Sequence, residues 1–208
     1  MTDDQIRQLL QIGGTLATLA TLAFGILQYR TAQLWRKKEL IAKETKEFFA
    51  DPLVKTAMRL MDWRAFKIEL PRPDLPESER RVAVTGRVLA DALRIHGFPK
   101  VGCDDDKTVM EREAILLDDR FQPVAVHIRD AFDRFLDGLE RFDHFVESGL
   151  VSAADVEPYL RYWFQVISGQ RHQMEDRTQA ALVQFIESYG YDGTVRLMER
   201  CGFPLKAK

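Results

Sequence analysis

The chain has 208 residues, of which 30 are basic and 32 acidic, for a formal net charge of −2. That near-neutral balance argues against a polycationic surface, so nucleic acid is not an expected partner. Cys103 and Cys201 form no CxxC pair and read as free thiols of a reducing compartment.

The stretch Leu9 to Leu27 (LLQIGGTLATLATLAFGIL) carries no charge. As a helix it reaches roughly 28 Å, close to a hydrocarbon core of about 30 Å, so it predicts a transmembrane helix over 9–28 after a short N-terminus, 1–8. Within it Gln11, Gly14, Thr18, Thr21, Gly25 and Gln28 recur at steps of 3 and 4. That is the heptad spacing that keeps one line of a helix facing a partner. Small residues let helix backbones approach, and Thr or Gln can hydrogen-bond across the contact. The line therefore predicts self-association, with a pore-lining role if several copies turn it inward.

Arg30, Arg36, Lys37 and Lys38 follow at once, with Tyr29 and Trp35 among them. They suit lipid headgroups, and by the positive-inside rule they place the N-terminus outside and the remainder in the cytoplasm. The expectation is a single-pass protein of the inner (plasma) membrane with the bilayer as a partner. Residues 29–50 continue as a basic juxtamembrane stalk helix, with Leu34, Ile41, Thr45 and Phe48 on one side.

Asp51-Pro52 marks a new start, an N-cap followed by proline at the first helical position. From there 51–208, about 160 residues, reads as one cytosolic all-helical domain. Its first helix carries Leu53, Val54, Ala57, Met58, Met61 and Ala65 inward. Pro71, Pro73 and Pro76 make a connector. A helix is expected from Glu77 to His96, with Val84, Val88, Leu89, Ala92 and Leu93 inward, and a short one near Val109 to Leu117. The acid triplet Asp104, Asp105, Asp106 lacks the spacing of a calcium loop.

Pro123 opens the longest helix of this part, to about Ser148. Its apolar line is Ile128, Phe132, Phe135, Leu139, Phe142 and Val146, and Arg129, Asp130, Asp133, Arg134, Asp137 and Glu140 take the opposite face. Asp130 and Arg134 are expected to pair at i,i+4. Gly149 ends this helix, and Ser152 with Asp155 opens the next, in which Val156, Tyr159, Leu160, Trp163 and Ile167 read as buried. After Gly169 comes a helix with Leu182, Phe185, Ile186 and Tyr189, ended by Gly190. Asp192 is expected to cap a last short helix through Leu197, Met198 and Cys201. The fold class is all-α.

No zinc-protease, phosphate-loop, dinucleotide or nucleophile-elbow motif is present, and no cofactor or metal is implied. Arg120 and His127, in RFQPVAVH, have the spacing of the Arg and His of HEPN-type helical ribonucleases. In that group the His carries a proton and the Arg holds phosphate. Here Phe121 replaces the usual polar residue and Pro123 intervenes, so the pair is a weak catalytic candidate.

In WRKKELIAKE, FFADPLVKTAMRLMDW, IRDAFDRFLDGLERFDHF and YLRYWFQVI the layout resembles a group of small bacterial proteins. These have one N-terminal span, a basic stalk and an all-helical cytosolic domain, and most are uncharacterised. Some are accessory proteins of CRISPR or other phage-defence loci and assemble as membrane pores. The resemblance implies a non-enzymatic, oligomeric membrane pore or effector serving antiviral defence. The alternatives are a membrane-tethered HEPN-like ribonuclease and a membrane adaptor that binds a cytosolic protein partner.

Overall fold

The computed structural model describes residues 3–71, 76, 80–94 and 123–205, without the side chains of 4–13, 15–17 and 20. The chain divides into two compact units, Met1–Lys43 and Glu44–Lys208. It is mostly helical, with seven helices and two short strands among the described residues. The elements are α1 (Asp3–Ala50), α2 (Pro52–Asp62), β1 (Ala65–Glu69), β2 (Arg81–Thr85), α3 (Gly86–Ala92), α4 (Pro123–Glu147), α5 (Ala153–Ile167), α6 (Asp176–Ser188) and α7 (Asp192–Arg200).

The second unit is built around α4, which packs against α2, α3 and α7. Its apolar line behaves as the periodicity predicts, with Ile128, Phe132, Phe135, Leu139 and Phe142 fully buried. Phe48 closes the cluster, its ring centroid 5.5 Å from that of Phe135 and 5.6 Å from that of Phe142. The ring comes so close to α4 that a Cβ at Gly138 would lie 2.3 Å from it. Glycine in mid-helix costs about 1 kcal/mol relative to alanine. Here it is the residue that makes room for the phenylalanine.

The helix ends follow local chemistry. Asp51 caps α2 by accepting from the backbone N–H of Leu53 at 2.9 Å and of Val54 at 3.4 Å. Asp155 Oδ2 accepts from the backbone N–H of Ser152 and from its hydroxyl, at 2.9 and 2.6 Å, closing the expected capping box. Gly149 ends α4 with φ of 72°, a conformation that a side chain would strain. The cap of α7 is Tyr191, one residue before the expected Asp192, which lies in the first turn.

Arg81–Thr85 is a strand and not the first part of a helix from Glu77. It pairs antiparallel with Ala65–Glu69 in a two-stranded sheet, Ile68 opposite Val82 and Phe66 opposite Val84. Consequently α2 stops at Asp62, and Ala65 belongs to the sheet. Val88 and Tyr159 are exposed, whereas the helical pattern had set them inward. The expected helix at Val109 to Leu117, the triplet Asp104 to Asp106 and Cys103 lie outside the described residues.

The membrane placement is corrected. Among the described residues no helix is long and apolar enough to cross a membrane. The uncharged run is diluted by Gly14, Thr18, Thr21 and Gly25 and closed by Arg30. The transmembrane helix over 9–28 and the single-pass inner-membrane topology built on it are therefore not supported.

Candidate functional site

Three places in the chain were candidates for function, and the structure treats them differently. The first is the N-terminal part of α1. Large apolar side chains are exposed at Leu19, Leu22, Phe24, Ile26, Leu27, Tyr29, Leu34 and Trp35, with Trp35 at 70%. At about 100° per residue they cover about two thirds of the circumference and leave free the third that carries Gly14, Thr18, Thr21, Gly25 and Gln28. Further along α1, Ile41, Thr45 and Phe48 are buried, while Leu34 on the same side is 60% exposed.

The heptad line runs along this part of α1. Gly14, Thr18, Thr21, Gly25 and Gln28 are all exposed, and the side chain of Gln11 lies outside the described residues. A Cβ at Gly14 or Gly25 would meet nothing within 4 Å, so the surface beside both glycines is open. The Thr18 hydroxyl donates to the Gly14 carbonyl at 2.9 Å, and the Thr31 hydroxyl donates to that of Leu27 at 2.9 Å. Such back-bonding satisfies the hydroxyl within its own helix and leaves the methyl outward. Arg30, Arg36, Lys37 and Lys38 are exposed as well.

The second candidate is the Arg120–His127 pair. His127 lies in the second turn of α4, half-buried, and burial pushes its imidazole below the usual histidine range against the opposing charge of Asp130. Arg120 lies outside the described residues, so no geometry joins the two.

The third place is polar, and sequence reasoning missed its organisation. A cleft of about 200 Å³ is bordered by Asp51, Arg134, Asp137 and Arg141. Arg134 Nε donates to Asp51 Oδ2 at 2.7 Å, in place of the expected pairing with Asp130. Burial alone would raise the Asp51 carboxyl. The Arg134 hydrogen bond, the two backbone N–H groups and the Arg134 charge outweigh it and hold the group below the usual range. Arg141 Nε stands 3.4 Å from Glu44 Oε2, a buried oxygen without a hydrogen-bond partner. Both arginines are thus engaged by carboxylates of the same chain, and among the described residues no Ser, Thr, Cys or His borders the cleft.

Beside the cleft, α4 and α7 are joined by a polar ladder. Asp133 accepts from the Tyr191 hydroxyl at 2.6 Å, and Glu140 accepts from the backbone N–H of Thr194 at 2.7 Å. Asp143, buried, accepts from Arg196 and from Arg200, each at 2.9 Å. Burial, together with the like charges of Asp137 and Asp130, raises the Asp133 carboxyl despite the Tyr191 hydrogen bond. The Tyr191 hydroxyl is raised strongly by its own burial and by Asp133. The signal available in the sequence was an acid line, Asp133, Glu140, Asp143, flanking the apolar one, together with Arg196 and Arg200 at i,i+4. This ladder holds two helices together.

Cys201 donates weakly to the Ala153 carbonyl, and burial pushes its thiol up to about 11, so it is a poor nucleophile. Among the described residues no group of three or more His, Cys, Asp or Glu is placed to hold a metal ion. No family model, curated protein or solved structure matches this chain. The surface of α1 between Thr18 and Lys38 is the candidate that stands out on physical grounds.

Proposed function

We propose that this chain is a non-enzymatic helical module that self-associates through the N-terminal part of α1 and so gathers copies of its bundle into a scaffold. The observation that carries the reading is the broad band of exposed large apolar side chains from Leu19 to Trp35. Exposed apolar patches of this kind mark interaction surfaces. Burying a Leu or Phe returns about 1.5–3 kcal/mol. Covering half of this set yields on the order of 10 kcal/mol per copy, comparable with the ~4–15 kcal/mol that association costs. The heptad line through Gly14, Thr18, Thr21, Gly25 and Gln28 supplies a surface on which two helices can approach closely.

The test is the mass of the purified full chain in solution, by light scattering or sedimentation. The wild type is expected as a discrete oligomer at micromolar concentration. Leu22→Glu with Ile26→Glu is expected as a monomer whose bundle melts unchanged. A wild type that is monomeric throughout, or one that sediments with lipid vesicles and never with itself, overturns the reading.

A further inference from the structure

We infer that the self-association, on the reading just given, is an antiparallel two-fold pairing of α1 with α1 of a second copy, in a register that sets residue i of one copy level with residue 39 − i of the other. The first observation is charge. In α1 the charges before Glu39 are Asp3, Asp4 and Arg7 at one end of the uncharged stretch and Arg30, Arg36, Lys37 and Lys38 at the other. An in-register parallel pair sets each of these four cations beside its own copy, and like charges at such positions repel. Reversing one helix in the proposed register brings Asp3 level with Arg36 and Asp4 level with Trp35, within one turn of Lys37 and Lys38. The antiparallel orientation thus brings the two acids of one copy to the basic cluster of the other.

The second observation is symmetry. A two-fold interface is isologous: if residue i meets residue j, then j meets i. The line Gln11, Gly14, Thr18, Thr21, Gly25, Gln28 reads the same in both directions. The register that satisfies the charges pairs Gln11 with Gln28, Gly14 with Gly25 and Thr18 with Thr21. The two amides meet at the ends of the contact, where each can donate to and accept from the other. The two glycines meet where the backbones come closest, and the space beside each is open in the single chain. Thr18 turns its hydroxyl back to the Gly14 carbonyl, so a methyl faces the partner near the centre without a polar group left unsatisfied. Leu22, Phe24 and Tyr29 flank this line and gain cover from the second helix.

The experiment uses the full chain with Cys103→Ser and Cys201→Ser as background. Gly14→Cys and Gly25→Cys variants are prepared separately, mixed and oxidised. The expected result is a disulfide-linked dimer on mixing, at least about tenfold more abundant than in either variant alone. Asp3→Lys with Asp4→Lys is expected to weaken association about tenfold at low salt, an effect restored by Arg36→Glu with Lys37→Glu and reduced in high salt. Linkage of Gly14→Cys to itself, or an oligomer without the 14–25 link, overturns the antiparallel pair and leaves self-association standing. A monomer in every condition removes the self-association reading itself.

Discussion

Two helices of this chain are rich in large apolar residues, and they meet opposite fates. In α4 the apolar residues form one line, every large member from Ile128 to Phe142 is sealed, and the flanking acids are taken up by Tyr191, Thr194, Arg196 and Arg200. In α1 between Leu19 and Trp35 the apolar residues spread over about two thirds of the helix circumference and stand exposed. Local propensity is helical in both. The difference lies in whether the same chain supplies a cover. An amphipathic helix with one apolar stripe completes a core, whereas a helix with so broad an apolar surface needs more than one neighbour to cover it.

The sharpest way to break this contrast is to make the same kind of truncation on both sides. Phe135→Ala should cost the bundle about 3–5 kcal/mol, since a fully buried ring is lost and a cavity remains. Leu22→Ala, from a residue 62% exposed, should leave the melting of the bundle within about 0.5 kcal/mol of wild type. Thermal or urea unfolding of both variants at a concentration where the chain is monomeric decides the matter. Equal losses would mean that α1 is already covered.

Next in size is the ladder between α4 and α7. Asp143→Asn removes the charge that two partly exposed arginines share, and a loss of about 1–3 kcal/mol is expected in denaturant unfolding. Gly138→Ala should also destabilise by about 1–3 kcal/mol despite the better helix propensity of alanine, because the Phe48 ring is hemmed in by Phe135 and Phe142 and has nowhere to go. A melting temperature above wild type would show that Phe48 moves freely.

The smallest effects concern pH. Asp133 is raised in the folded state above its ordinary value of 3.8, so the fold binds the proton more tightly than the unfolded chain. Stability therefore declines as pH climbs from about 3.8 through the raised value. Asp133→Asn keeps an acceptor for Tyr191 and should abolish that decline. Asp51 has the opposite sign. Its folded value is depressed, so its contribution is complete above 3.8 and fades as pH falls through the folded value. Melting curves of wild type, Asp133→Asn and Asp51→Asn across the acid range should separate the two slopes.

Much of this architecture was legible because it is written in short-range periodicity. The buried line of α4, the Asp51 cap, the Ser152–Asp155 box and the stop at Gly149 all depend on residues within one or two turns of each other. The hairpin was not legible. In Arg81 to Thr85, Val84 falls on a helical line with Val88 as readily as on a strand alternating with Val82, and the arbiter is pairing with Ala65–Glu69. The same holds for the acids of α4. Asp133, Glu140 and Asp143 look like a solvated face until Tyr191, Thr194, Arg196 and Arg200 arrive more than fifty residues later. At the candidate surface, the heptad line and the basic cluster were visible directly, and their exposure was not.

By itself, the sequence determined that the chain is helical, where most of its helices begin and end, and that one stretch near the N-terminus is uncharged and evenly spaced. Each of these follows from capping, periodicity and composition, which act over a few residues. Tertiary structure alone decided that Phe48 occupies the notch at Gly138, that Asp143 is buried between two arginines, and that Leu19 to Trp35 stand without cover. Those outcomes depend on which distant segments meet, and contacts between distant segments leave little trace in the local pattern of either partner.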